Sequence, residues 1–424
     1  MDSSVFLVLA TIALAIQAFT IYLFLFEPGL AYRIARRPKI PPGEEGLNLL
    51  EALGGSPLYK KNSIQVLTNG DSYYEAELEA IQQAKHSVHF EAYIFNKGRV
   101  TQRFLKVLTE RASVGVSVRM VLDAIGNFLT WDSYFKEFRE AGGRMEWYHP
   151  IRFHLLPRLN NRTHRELIIV DGKVGFIGGS GFADQWLYGR KKNPRWRDTM
   201  VKVEGEAVRG LQSTFAENWL EASGEIITCK ECFPHIDGQG SVTAMVVDSS
   251  PSAGRSTRSR IIYQTLLACA QKNLCIQTPY FLPDAGARQE MVQAVKRGTK
   301  VRIITPGHQS DHLLTRHSSR RLYGQLLQAG VRIFEYLPAM MHAKIMIVDE
   351  FCSVVGSTNF DNRSFGLNDE SNLIAIDKKV AKRLLEDFEQ DIEQCEEITY
   401  EKWKRRSLAE KVVESAGWIL ERQQ

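Results

Sequence analysis

Cysteine is scarce in this chain, with six among 424 residues. They make no dense framework, which excludes a small cross-linked scaffold and fits a reducing compartment. Metal-ligand motifs are nearly absent too. Cys229, Cys232 and His235 have a faintly metal-like spacing but lack a convincing fourth ligand, so a surface pair of free thiols is expected, with no metal and no cofactor. Cys269, Cys275 and Cys352 stand in apolar contexts and read as core residues. The net charge of +5 is too modest to name a partner by itself.

Charge is missing altogether from Val5 to Phe26, a predominantly apolar run. At about 1.5 Å per residue it is long enough to cross a hydrocarbon core of about 30 Å. A cleaved signal peptide fits less well: Asp2 precedes the run, the apolar region is too long, and no small-residue cleavage site closes it. One transmembrane helix is therefore expected, inside an anchor segment at residues 1–40. Arg33, Arg36, Arg37 and Lys39 follow against a single Glu27, and the positive-inside rule places everything beyond them in the cytoplasm. The expected location is the inner (cytoplasmic) membrane, single-pass.

With 44% hydrophobic and 24% charged residues, the rest of the chain can bury cores for two domains. Ile64–Thr68 and Val88–Phe95 read as strands, Ser72–Ala84 and Arg103–Ala112 as helices, and the cycle then repeats, which argues for α/β layers. The repetition extends to chemistry. His342-Ala343-Lys344-Ile345-Met346-Ile347-Val348-Asp349 is followed by Gly356-Ser357-Thr358-Asn359-Phe360. Upstream, His164-Arg165-Glu166-Leu167-Ile168-Ile169-Val170-Asp171 is followed by Gly178-Gly179-Ser180-Gly181-Phe182. Val118-Arg119-Met120-Val121 pairs likewise with Val301-Arg302-Ile303-Ile304, and Ala141-Gly142 with Ala329-Gly330, so the chain holds an internal duplication of domain size. On a strand His342 and Lys344 share a face while Ile345 and Ile347 point to the interior; Asp349 belongs in the closing turn, bonding backbone N–H groups.

Two registered copies with these flanks resemble the phospholipase D superfamily, whose signature is HxKxxxxD twice. Gln277-Thr278-Pro279-Tyr280-Phe281-Leu282-Pro283-Asp284, Ala329–Tyr336 and Gly356–Ser364 are most similar to bacterial cardiolipin synthases, and the likeness runs from about Asn62 to Trp403. It implies two pseudo-symmetric α/β/α lobes sharing one site, at 41–235 and 236–400 with Gly224–Gly240 as the boundary stretch. An amphipathic C-terminal helix at 401–424 is expected to pack on the second lobe or to lie in the membrane interface.

The resemblance makes His164 the nucleophile and His342 the acid/base, with Asp198 beside His164 and Glu370 beside His342 to fix the rings. Lys344, Asn359, Ser180 and Ser357 would hold the nonbridging phosphate oxygens. Asp171 and Asp349 complete the motif, with a structural role expected more than a catalytic one. The other histidines, His86, His89, His149, His154, His308, His312 and His317, lack such context, although His312 could stand near a lipid entrance.

Glu166 departs from the pattern, standing where the signature has lysine. Two unit charges about 4 Å apart interact by roughly 4 kcal/mol at an effective dielectric of about 20, so an ionised Glu166 would oppose phosphate binding. Three readings are open: neutralisation by Arg195 or Arg197, hydrogen bonding to a glycerol acceptor, or a first half-site that does no chemistry. A working but asymmetric site is expected.

Basic runs at Arg152, Arg158, Arg162 and Arg165, at Arg190, Lys191, Lys192, Arg195 and Arg197, and at Arg255, Arg258 and Arg260 form either a solvated face or a rim for a polyanion. The apolar N-terminus favours lipid over nucleic acid. The expected activity is transfer of a phosphatidyl group from phosphatidylglycerol, or another anionic phospholipid, to a second phosphatidylglycerol. Hydrolysis at the same site, a nuclease, and a non-catalytic lipid-binding protein are the alternatives.

Overall fold

The computed structural model describes residues 3–25, 34, 44–150, 160–189, 194–236, 238, 240–251 and 256–419. The first half supplies β1 (Tyr59–Thr68), β2 (Ser87–Ala92), β3 (Ser117–Asp123), β4 (Arg144–Tyr148), β5 (Leu167–Val170), β6 (Val174–Gly178) and β7 (Thr199–Gly205). The second supplies β8 (Val242–Ser249), β9 (Asn273–Gln277), β10 (Lys300–Pro306), β11 (Arg332–Tyr336), β12 (Ile345–Val348), β13 (Cys352–Gly356) and β14 (Glu370–Ile376), with β15 (Cys395–Ile398) added at one edge. Among the described residues they form one sheet in the order β15-β11-β10-β9-β12-β13-β14-β8-β1-β7-β6-β5-β2-β3-β4. With β15 set aside, the order is the same from either end once β1–β7 are exchanged for β8–β14. The duplication in sequence is thus a duplication in topology, and the mixed α/β expectation holds.

The halves meet where β1 runs antiparallel to β8, and the register slips between Tyr59 and Asn62. A slip leaves ladder groups unpaired, and buried Asn62 supplies the missing partners. Its amide donates to the carbonyls of Tyr59 (2.8 Å) and Val242 (3.0 Å), and its oxygen accepts from the Ala207 N–H at 2.7 Å. β5 and β12 are buried on both faces, which explains their unbroken apolar runs. Leu167, Ile169, Ile345 and Ile347 join Phe215, Trp219, Leu384 and Phe388, from helices Val208–Ser223 and Lys378–Ile392, in a core common to both halves. The alternate residues Ile168 and Val170, or Met346 and Val348, enter separate cores, one per half.

The aspartates ending the two motifs close equivalent hairpins. Asp171 and Gly172 have φ of 51° and 61°, Asp349 and Glu350 of 52° and 55°, left-handed pairs opening the short connections between Val170 and Val174 and between Val348 and Cys352. Each carboxylate then reaches the start of the neighbouring antiparallel strand, β2 or β9. Asp171 accepts from the N–H groups of Lys85, His86 and Ser87 at 2.9, 2.7 and 2.8 Å. Asp349 accepts from those of Gln271, Lys272 and Asn273 at 3.0, 2.6 and 3.0 Å. Both carboxylates are engaged in the scaffold, as their turn position suggested.

Ser3–Leu25 is a helix of 23 residues without an acidic or basic residue in its end turns, and Val5, Phe6, Leu7, Ile12, Leu14, Ile16 and Phe19 are exposed. The Thr11 hydroxyl bonds the Leu7 carbonyl inside it (2.8 Å). Among the described residues no helix is long and apolar enough to cross a membrane. Arg33, Arg36, Arg37 and Lys39 lie outside the described residues.

At the other end the chain forms two helices, Tyr400–Lys404 and Leu408–Ile419, rather than one. They pack on helix Leu313–Ala329: the Trp403 indole donates to the Arg320 carbonyl (2.6 Å), and buried Arg406 pairs with buried Glu414 at 2.8 Å. Leu420 lies outside the described residues. Cys229 and Cys232 form a disulfide, with Cα atoms 5.3 Å apart, and are not the free thiols expected; Cys232 is buried among the shared-core residues.

If Asp349 splices the hairpin to β9, Asp349→Ala should cost about 2–4 kcal/mol by removing charge-assisted bonds to three backbone donors. Thermal melting in detergent would show this as a drop of roughly 5 °C or more. Turnover per folded molecule should stay within about threefold; a hundredfold loss with unchanged melting would return Asp349 to the chemistry.

Candidate active site

Two short cross-lobe bridges build the site. Thr163 pairs with Asp369 and Arg197 with Met341, so the segment leading into each histidine lies along the segment leading into the other half's carboxylate. The His164 N–H donates to the Asp369 carbonyl (2.8 Å) and the His342 N–H to the Arg197 carbonyl (2.7 Å). In each case the next residue along presents its side chain to the ring. His164 Nδ1 lies 3.2 Å from Glu370 Oε2, and His342 Nδ1 lies 2.7 Å from Asp198 Oδ2.

This reverses the expected pairing. The resemblance put Asp198 beside His164 and Glu370 beside His342; the structure crosses them, each carboxylate orienting the histidine of the opposite half. The cause is the backbone bridge, which brings residues 197 and 198 to His342 before any side chain is considered.

Both carboxylates are wholly buried and both are held ionised. Burial would push the Asp198 carboxyl up, but the His342 ring, its hydrogen bond and Lys344 pull it below the ordinary value. The Trp186 indole at 2.9 Å and the Thr199 N–H at 2.8 Å complete its shell. Burial likewise opposes the Glu370 charge, and His164 together with the Ser357 hydroxyl more than compensates. Tyr93 meets the His164 ring with centroids 5.3 Å apart, while Trp186 and Trp196 pack on the His342 ring at 5.3 and 5.2 Å.

Lys344 lies over the His342 ring, its Nζ 2.9 Å from Nδ1 and 3.1 Å from Nε2, and donates to the His342 carbonyl at 2.8 Å. Its stem crosses against Gly179 of the first half, where an added Cβ would come 2.7 Å from Lys344 Cδ, so glycine is needed there for close approach. Burial brings the ammonium down to about 8, against the pull of Asp198, Glu370, Glu166 and Asp311. Those four acids come from both halves, which puts one cation within electrostatic reach of both histidine–carboxylate pairs. Burial, with Lys344 adding to it, also lowers the His342 pKa, although Asp198 opposes the shift.

Glu166 is buried in this setting, and burial raises its pKa well above the ordinary value, only partly offset by backbone N–H groups and Lys344. Burial thus favours its neutral form. Oε1 accepts from the Tyr93 N–H (3.2 Å), while Oε2 has no hydrogen-bond partner among the described residues. Neither arginine proposed to neutralise it does so: Arg195 pairs with Asp71 at 3.4 Å and Arg197 with Asp391 at 2.9 Å.

Two expected phosphate ligands are otherwise engaged. Ser357 donates to Glu370 and accepts from the Ser371 N–H, and the Ser180 hydroxyl is 2.8 Å from Tyr73 Oη. Asn359 is buried, and its side-chain oxygen has no hydrogen-bond partner among the described residues. The basic runs also differ from expectation, since their described members are paired. Buried Arg165 holds Glu217 at 2.7 Å and buried Arg260 holds Asp284 at 2.5 Å, while buried Arg162 donates to the His149 carbonyl at 3.0 Å; exposed Arg258 reaches Asp248 at 3.2 Å. Arg152, His154, Arg158, Arg190, Lys191, Lys192 and Arg255 lie outside the described residues. Trp186, Trp196 and Tyr93 were missed as site residues; only the place of Trp196 two residues before Asp198 could have signalled one of them.

The crossed wiring makes a spectroscopic forecast. In protein carrying nitrogen-labelled histidine, Asp198→Asn should change the tautomer signal of His342 and leave that of His164, and Glu370→Gln should do the reverse. The opposite assignment would contradict the geometry.

Comparison with known proteins places this arrangement. The family profile described as "Cardiolipin synthase, PLD-like domain" matches residues 78–219 and 263–392. The chain is 35% identical over 393 residues to the cardiolipin synthase of Geobacillus sp. (strain WCH70), covering 90% of this chain and 77% of that one. It is 32% identical over 386 residues to the cardiolipin synthase of Listeria monocytogenes serovar 1/2a, covering 90% and 80%. The crystal structure of phosphatidylserine synthase from Haemophilus influenzae Rd KW20 shares the fold with a TM-score of 0.69 at 15% identity, over 90% of this chain and 100% of that one. With both repeats matched and the relatives aligned over most of their length, the chain belongs to the cardiolipin synthase family of PLD-like proteins.

Proposed function

We propose that the chain is a membrane-anchored phosphatidyltransferase that makes cardiolipin from phosphatidylglycerol by two displacements at phosphorus. The observation that carries this is the pair of histidines, each with Nδ1 turned to a buried carboxylate, with Lys344 Nζ 3.1 Å from His342 Nε2. In the first step His164 Nε2 attacks phosphorus and glycerol departs, taking a proton from His342. In the second, His342 removes the proton of a phosphatidylglycerol hydroxyl, which attacks the phosphohistidine and releases His164.

Lys344 couples binding to protonation. In the empty site its ammonium works against a proton on His342. A bound phosphate cancels that charge, so His342 gains its proton when a leaving group needs it. Glu166 then serves as a neutral donor through its unpartnered Oε2, to a nonbridging oxygen or to the acceptor hydroxyl, in place of a second cation. Asn359 adds a further polar contact.

The anchor is the uncharged apolar run containing the helix Ser3–Leu25, and the cationic residues after it favour a cytoplasmic site at the inner membrane. The relatives' names support the lipid product, and the buried paired arginines argue against a basic track for nucleic acid.

Incubating the reconstituted protein with labelled phosphatidylglycerol tests this directly. Cardiolipin and free glycerol are expected; phosphatidic acid and glycerol alone would replace transfer by hydrolysis. In the same assay Glu166→Gln, which keeps a neutral donor, should stay within about fivefold of the parent, and Glu166→Leu should lose about a hundredfold. Equal activity of all three would remove Glu166 from the reaction.

A further inference from the structure

The segments after β3 and β10, equivalent under the duplication, both hold large apolar side chains in solvent. Phe128, Leu129 and Trp131 are 71%, 68% and 76% exposed, and Leu313 and Leu314 are 58% and 50% exposed. One exposed leucine needs no explanation, but a cluster repeated on equivalent segments does. Neither segment is loosely attached. Asn127 donates to the Tyr93 carbonyl (2.8 Å) and accepts from the Phe95 N–H (2.5 Å), and Thr130 donates to the Phe95 carbonyl (3.1 Å). Gly126 passes so near Tyr93 that an added Cβ would lie 2.0 Å from its carbonyl oxygen. The Tyr93 ring in turn meets His164.

The second segment is braced in the same manner. Tyr280 donates to Asp311 at 2.8 Å and its ring meets His312 at 5.6 Å, directly before Leu313. Asp311 is close enough to act on His342 and Lys344. The two apolar tips are therefore tied, one in each half, to residues that reach His164 and His342.

We propose that these tips form a membrane-docking surface, one from each half, that seats the mouth of the active site on a bilayer of anionic phospholipid. The patch is continuous with a site that takes lipid, so this inference rests on the phosphatidyltransferase reading. A bilayer suits it because an indole and a phenyl ring prefer the boundary between headgroups and acyl chains. Exposed Lys97, close after Phe95, offers a cation to anionic headgroups. Docking there lets a lipid phosphate reach His164 while its acyl chains stay in the membrane, and a second lipid can enter from the same leaflet.

The test uses the full chain in vesicles of phosphatidylglycerol brominated on the acyl chains, a short-range quencher of tryptophan. The quenched fraction of fluorescence should fall in Trp131→Phe relative to the parent. The triple variant Phe128→Ser, Leu129→Ser, Trp131→Ser should lose about tenfold or more in kcat/KM on vesicle lipid while staying within about twofold on dispersed short-chain phosphatidylglycerol. Absence of quenching specific to Trp131, or equal loss on both substrates, would overturn the proposal. So would an unquenched Trp131 combined with a shift from dimer to monomer in the triple variant, which would assign the patch to a second copy. Trp131 quenching in a parent that makes no cardiolipin from either substrate would support the docking surface and refute the transferase reading.

Discussion

Two carboxylates buried to zero exposure, Asp198 and Glu370, constrain everything around them. A buried anion is tolerated only where donors and a cation surround it, and here the principal donor to each is the histidine of the opposite half. Neither half can build its own site. The joined sheet, the Asn62 patch at the β1–β8 slip and the buried Arg197–Asp391 pair all hold the halves in the register the two histidine–carboxylate contacts need. Arg197 shows the economy of the design: its guanidinium binds Asp391 and its own neighbour's carbonyl, and its backbone carbonyl receives the His342 N–H.

The site built on this frame is symmetric in backbone and asymmetric in charge. Both histidines have a carboxylate, but only one half has the motif lysine, and in the other half burial works against a charge on the glutamate. A single ammonium facing a phosphodiester matches a single negative charge. Desolvation works against the ionised Glu166 that would oppose binding.

The motif spacing carried much of this. Strand parity put the histidine and lysine on one face, the repeated motifs announced two equivalent halves, and the turn position of Asp349 announced its backbone bonds. What sequence parity could not tell was which carboxylate meets which ring, since that depends on a bridge between residues far apart in the chain. It also misjudged the arginines. A run of basic letters looks like a solvated face, yet Arg162, Arg165, Arg197 and Arg260 are internal struts whose acceptors lie far off in sequence. The serines of the glycine-rich turns looked like phosphate ligands for the same reason, and Ser357 instead holds Glu370.

The central claim is that two cross-wired histidines share one displacement, with His164 taking the phosphatidyl group. Rapid quenching of a single turnover with phosphate-labelled phosphatidylglycerol, followed by peptide mapping, tests it most directly. The label should appear on His164, and in His164→Ala no labelled peptide should form. Label on His342, or full turnover without any labelled histidine, would contradict the account.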